Sequence, residues 1–458
     1  MTYDFTNRTK TTLIAGMAIG LLCLVLTWFG DDSLHTRFWA NFLHNAAFFT
    51  GIGLMAAFFM SVSITAWAGW YVVFKRVWEA MSLFLIIGCV LIFIMGLSNL
   101  MGWNHLYHWN FEGITEVGNE NYDKLIAGKA GFLNKYVYLI GSMILMAIWT
   151  FIVMRIRSLS LSEEGASAAG DFSYHYSKRK WAALFLPLAG FGSAFVVWQW
   201  IMSIDAHWYS TMFAWYTGAS WFVSMIALTI LILLFLKGQG YYKNVTTEHF
   251  HDLGKFLFAF SIFWTYVWFS QYMLIWYANV GEETIYFRER VDNYNALFWL
   301  NILINFIAPF FILMRNDTKR KMGSLGFAAG LVLVGHWLDF FLMIRPGVRH
   351  TAHEAAGHGH GHEGHGHEAG HGAHDATHGA HDAAHEAAHG GHDALHAAGD
   401  HASGLPFELG FTFPGFLELG AFLGFLCLFL YFVLNRVASA SLTSDTDPYL
   451  QESIHHHT

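Results

Sequence analysis

Charge is what this chain has least of. Only 13% of its 458 residues are Asp, Glu, Lys or Arg, while 55% are hydrophobic, with 43 Phe and 19 Trp among them. No soluble fold needs so many long apolar runs, so the composition excludes one and points to a polytopic membrane protein. Cysteine is scarce as well. Cys23, Cys89 and Cys427 each lie inside an apolar run, where a thiol packs as a small hydrophobe. There is no CxxC and no CxxCH, so the chain offers neither an iron–sulfur ligand set nor a c-type haem attachment. The first apolar run follows a short polar head and lacks a small-residue cleavage site, which makes it a retained helix and not a signal peptide.

What is there is apolar and repeated. Ten runs reach spanning length, at 11–30, 38–66, 79–101, 133–154, 181–204, 211–236, 255–280, 295–314, 323–344 and 413–435. The second is long enough to tilt or to extend beyond the bilayer. With the N-terminus inside, 17 of the 25 Lys and Arg fall in cytoplasmic segments, so the basic bias predicts both termini in the cytoplasm. The predicted fold is therefore all-α and polytopic, with nine helices over residues 1–349. A His-rich periplasmic insert follows at 350–402, then a tenth helix over 403–437 and a cytoplasmic tail over 438–458.

The stretch from Trp198 to Tyr216, W-Q-W-I-M-S-I-D-A-H-W-Y-S-T-M-F-A-W-Y, joins the fifth and sixth runs with almost no loop. Asp205 and His207 sit at its turn. Ionisable groups at the mouth of a membrane hairpin are costly and mark a candidate site. An Asp beside a His orients the ring and favours its protonated form. In a purely structural role, Asp205 would cap the sixth helix. The surrounding aromatics read mostly as an interfacial girdle.

Further polar residues fall on the same outer side. His336 and Asp339 share a face of the ninth helix, one turn apart. Gln199 lies in the fifth helix. Gln271 and Asn279 are nearly in line on the seventh and lead to Glu282 and Glu283. If helices five, seven and nine adjoin, these residues surround one cavity. Asn99, Asn301 and Asn305 read as hydrogen-bonded packing groups. Only His44 and His336 lie at a depth suited to haem, which limits the chain to one b-type haem at most.

The insert holds 16 His between His350 and His401. From His371 to His396 every step is three or four residues, so a helix would carry His381, His385 and His389 on one stripe able to chelate a divalent metal. Glycines at 372, 379, 390 and 391 oppose that helix, and the first reading is a low-complexity solvated loop. His455–His457 are left out of the functional reading.

Three stretches carry a family resemblance: Trp198–Tyr216, F-S-Q-Y-M-L-I-W-Y-A-N-V-G-E-E at Phe269–Glu283, and G-H-W-L-D-F-F-L-M-I-R-P at Gly335–Pro346. They resemble the polysulfide-reductase-type (NrfD-like) membrane subunits of alternative complex III, a bacterial quinol:electron-acceptor oxidoreductase. Gly281 departs from the Pro that such relatives carry there. The His-rich insert is outside the family pattern.

The resemblance implies two four-helix bundles, helices two to five and six to nine, flanked by the first and tenth. It also implies an inner-membrane location and a set of partners: a homologous membrane subunit, an iron–sulfur protein, multihaem and monohaem cytochromes c, a terminal oxidase and lipids, but no nucleic acid. Haem and iron–sulfur groups would sit on those partners, and the ligand met in the membrane would be quinol or menaquinol. The chain would not be catalytic alone. It would supply quinol hydrogen bonds or proton transfer near the periplasmic face, with Asp205 and His207 the leading pair and His336 and Asp339 the second. A scaffold or proton-conducting subunit is the alternative, with a metal-ion transporter further behind.

Overall fold

A backbone facing lipid must satisfy its N–H and C=O groups within its own segment, so apolar runs of this length have only the helix open to them. The computed structural model describes residues 2–119, 121–168, 170–359, 408–443 and 446–457. Over these residues the protein is helical, and strand pairing is limited to two isolated bridges. Ten helices are long and apolar enough to span: α1 Asn7–Phe29, α2 Thr36–Thr65, α3 Val72–Leu100, α4 Val137–Glu164, α5 Ser173–Ile204, α6 Met212–Gly238, α7 Thr247–Ala278, α8 Asn295–Leu313, α9 Met322–Ala352 and α10 Phe416–Ala438. All ten expected runs are found. Several extend further than their apolar core because polar ends stay helical outside lipid. At 30 residues, α2 is about 45 Å long and passes beyond a hydrocarbon core of about 30 Å.

The helices form two closed rings of four. In the first bundle α2, α3, α4 and α5 each pack on the next, and α5 returns to α2. In the second, α6, α7, α8 and α9 do the same. The bundles meet where α2 packs on α6 and α9, and α1 lies along α10 beside the first. The third helix of each bundle shares a feature. A π-helical turn opens α4 at Val137–Gly141 and interrupts α8 at Leu303–Ile307. Such turns rotate the following side chains and gather at functional positions.

Both chain ends lie on one face, here called the termini face. Thr2 bridges Ser441, and the Asp4 N–H donates to the Tyr241 hydroxyl at 3.1 Å. The C-terminal tail straps this face. Asp447 pairs with buried Lys75, the Ser453 hydroxyl donates to the Trp70 carbonyl at 2.8 Å, and His456 meets Asp252 at 2.6 Å.

The same end of the first bundle holds a buried ion network. Glu79 accepts from Arg76 at 2.6 Å, from Ser160 at 2.6 Å and from Arg157. Arg76 also pairs with Glu164, and Glu163 with Lys178 and His175. His381, His385 and His389 lie outside the described residues.

Candidate functional site

In the middle of the second bundle a carboxylate is fully enclosed. Asp339, on α9, is 0% exposed. Its oxygens accept from Trp264 Nε1 on α7 at 3.0 Å, from Asn301 Nδ2 on α8 at 2.8 Å and from the Tyr216 hydroxyl on α6. One donor thus comes from each of the other three helices. Three neutral donors are aimed at two oxygens, which act as acceptors. One turn back on the same face, His336 Nδ1 lies 3.9 Å from Asp339 and 2.9 Å from the Ser220 hydroxyl. The edge of Trp264 packs on the His336 ring at 5.3 Å, and His336 Nε2 has no hydrogen-bond partner among the described residues.

Local sequence explains how α8 reaches in. Its π turn carries Asn305, whose Nδ2 donates to Asn301 Oδ1 at 2.6 Å and so orients the amide that serves Asp339. Gly335 makes room for this: a Cβ there would stand 2.2 Å from Asn305 Oδ1.

Above this centre, toward the far face, the bundle is closed by a short amphipathic helix, Gly281–Asn293. Arg290 anchors it. Its Nε donates to the Leu342 carbonyl at 2.9 Å, Nη1 to the Tyr286 carbonyl at 2.8 Å, and Nη2 to Asp205 Oδ2 at 3.0 Å. The guanidinium lies 3.3 Å over the Tyr286 ring, and Tyr286 stacks on Trp208 at 4.0 Å. A cavity of about 10 Å³, room for about one water, remains between Arg290 and Asn301, bordered also by Tyr216 and Gln271. Outside Arg290 and Tyr286 lies a cleft of about 110 Å³ lined by Asp205, His207, His108 and Glu282. Gly347 lets the turn before α6 sit on α9, since a Cβ there would come within 2.8 Å of Asp205 Oδ1.

The expected pairing of Asp205 with His207 is corrected by these contacts. Asp205 is the counterion of Arg290, and His207 Nε2 meets Asp123 Oδ2 at 2.5 Å. The backbone turn aims the two side chains at different elements. Asp205 does not cap α6 either; the residue before that helix is Thr211, which makes no side-chain cap bond. Gln199 belongs to the first bundle, donating to the Phe132 carbonyl at 2.7 Å, and so stands apart from Gln271, which donates to Ser210 at 2.6 Å. Asn279 ends α7 in the left-handed conformation, exposed, and Glu282 and Glu283 occupy the exposed first turn of the closing helix. The polar line along α7 thus divides into a buried Gln271 and a surface group.

The aromatic stretch divides too. Tyr209 and Trp215 are exposed, as an interfacial girdle requires, but Trp200, Trp208 and Tyr216 are buried. Trp200 and Tyr216 also hydrogen-bond inside, to Ser142 and Asp339. His44 and His336 do not face one another as a ligand pair: His44 Nε2 donates to the Trp337 carbonyl at 2.9 Å. Glu79 lies in the first bundle between two arginines and does not continue this polar line to the other side.

Sequence reasoning does not single out Arg290, Asp123, Trp264 or Ser220, and it reads Asn301 as a packing group. The i, i+4 spacing of Tyr286 and Arg290 was a usable signal; nothing local marked Trp264 among 19 tryptophans. No protein-family model and no curated protein matches the chain. Among the described residues no group of three or more His, Cys, Asp or Glu is placed to hold a metal ion, so the transporter reading finds no ligand set there.

Proposed function

We propose that this protein is a membrane subunit of a bacterial respiratory quinol oxidoreductase of the alternative complex III type, and that it handles protons in its second bundle. One observation carries the reading. Asp339 is a carboxylate enclosed within the second bundle, held by three neutral donors beside a histidine with an open nitrogen. A carboxylate kept inside a bundle without a compensating arginine is expensive, and such groups serve proton relays. The three stretches of resemblance also converge here. Tyr216 and Ser210 come from the first, Gln271 from the second and Asp339 from the third.

Quinol oxidation releases two protons and two electrons. The electrons pass to iron–sulfur and haem groups on the partner subunits. The residues of this chain take the protons. Asp339 accepts one as its donors reorient, and His336 exchanges one through the Ser220 hydroxyl. Arg290, Tyr286 and Asp205 divide this centre from the far-face cleft, which is the periplasmic side in this reading. His207 and Asp123 lie at its mouth.

The test is quinol:acceptor turnover of the purified complex carrying Asp339→Asn, from about pH 5.5 to about pH 8.5, a range that brackets the ordinary His pKa. Turnover falls at least about tenfold, in the range for loss of one proton-transfer group, with subunit content unchanged. A wild-type profile would assign this subunit to the scaffold role instead.

A further inference from the structure

Where α5 leaves the hydrocarbon, its last two turns, the turn that follows and the segment before α4 enclose a cleft of about 290 Å³. Phe132, Leu133, Trp198, Met202 and Trp208 line it and present it almost wholly with carbon. Water is poorly held in such a space, having no polar partners. Hydrocarbon is the matching content.

One rim of the cleft is basic. The segment from Lys124 to Tyr136 carries three lysines and no acid, and it exposes Leu125, Phe132 and Tyr136. That is the composition of a segment lying in the headgroup layer. Lys129 stands over the opening. Its Nζ donates to the Ala206 carbonyl at 2.8 Å and lies 5.4 Å from the Tyr209 ring, so two of its three donors are left for a ligand. Asp123, the acid close to it, is engaged by His207. Burial pushes the Lys129 ammonium down, a cost that an adjacent phosphate offsets. Tyr209, 67% exposed, adds a phenol at the same level.

We propose that this cleft is a binding site for one acyl chain of an anionic phospholipid, with the lipid phosphate on Lys129. Ala206 and Trp208 border both this cleft and the polar one that holds Asp205 and His207. A bound chain therefore braces that turn from behind. The proposal needs only that the protein spans a membrane and is independent of the quinol reading.

The full chain, purified in detergent and stripped of lipid, is titrated with phosphatidylglycerol, phosphatidylcholine and menaquinone, and bound molecules are counted by native mass spectrometry. Wild type retains one phosphatidylglycerol more than Met202→Trp, whose indole fills the cleft, and prefers it at least about tenfold over phosphatidylcholine, as one charge-assisted contact allows. Leu133→Trp fills the same space from the other wall and serves if the first variant fails to fold. Lys129→Gln keeps the molecule and loses the headgroup preference. Equal retention by wild type and the filled variants overturns the site. Equal retention of the two phospholipids by wild type overturns the phosphate contact. Displacement of phosphatidylglycerol by an equal concentration of menaquinone overturns the lipid in favour of a prenyl tail.

Discussion

The two bundles have the same ring of four helices and the same π turn in the third of them, yet they put charge to opposite uses. In the first, the interior carries neutral pairs. Tyr107 donates to the Trp200 carbonyl at 2.9 Å and meets Tyr138, from the π turn, at 3.1 Å. Its charges sit at the termini face and cancel, with Glu79 between Arg76 and Arg157. In the second bundle Asn305 of the π turn orients the Asn301 amide that serves an enclosed carboxylate, and among the described residues no guanidinium bonds to that carboxylate. Arg290, buried under the closing helix, is turned outward to Asp205 and to backbone carbonyls. A compensated buried ion pair cements structure. A buried carboxylate held only by neutral donors has no opposite charge to compensate it. The difference between the bundles is therefore one of compensation and not of architecture.

Substitutions that remove one charge from each bundle test this contrast. Glu79→Ala takes from Arg157 and Arg76 the buried carboxylate they share, leaving Arg76 only Glu164, and should destabilise the protein by about 3–5 kcal/mol, the usual cost of breaking a buried ion pair. Loss of monodisperse protein in detergent, or a large fall in thermal midpoint, is the expected readout; an unchanged midpoint would break the comparison. Arg290→Met comes next. It removes the anchor of the closing helix and strands Asp205, at a cost of about 3 kcal/mol, concentrated locally. Hydrogen exchange should rise across 281–293 and stay at wild-type levels in α2–α5.

Asp339→Asn should cost less, about 1–2 kcal/mol. The amide turns one of its own donors toward Trp264 or Asn301, so a single hydrogen bond is lost and no charge is orphaned by an arginine. A thermal midpoint that falls as far as that of Glu79→Ala would show Asp339 to be structural cement after all. The smallest effect belongs to the far-face pair. Burial alone would raise the Asp123 pKa, but the hydrogen bond from His207 and those from the Ile126 and Leu125 N–H groups outweigh it and hold it below the ordinary value. A depressed folded pKa contributes stability above the unfolded pKa of about 3.9, and that stability is lost as pH falls through the folded value. His207→Ala should therefore cost under about 1 kcal/mol at neutral pH, since the pair is partly exposed. Once pH has fallen below the depressed folded value, with Asp123 protonated in both states, the variant and wild type should converge in a pH series of thermal unfolding.

Much of this molecule was legible before folding. The ten spans followed from apolar length, because hydrocarbon leaves a backbone no alternative to the helix. The His336/Asp339 pair followed from spacing alone, since one turn of helix places i and i+3 on one face whatever surrounds them. The stretch from Trp198 to Tyr216 borders every cavity described above.

What the sequence could not contain was the choice of partner. Asp205 finds Arg290 across 85 positions, His207 finds Asp123 across 84, and Tyr216 finds Asp339 across 123. Two residues apart in the chain, Asp205 and His207 looked like a pair. A 3₁₀ turn ending at Ile204, and a ninth helix made narrow by Gly347, sent them to different neighbours. Local spacing determines which residues share a face. Which charges are compensated depends on contacts between distant helices, and only the tertiary structure decides those.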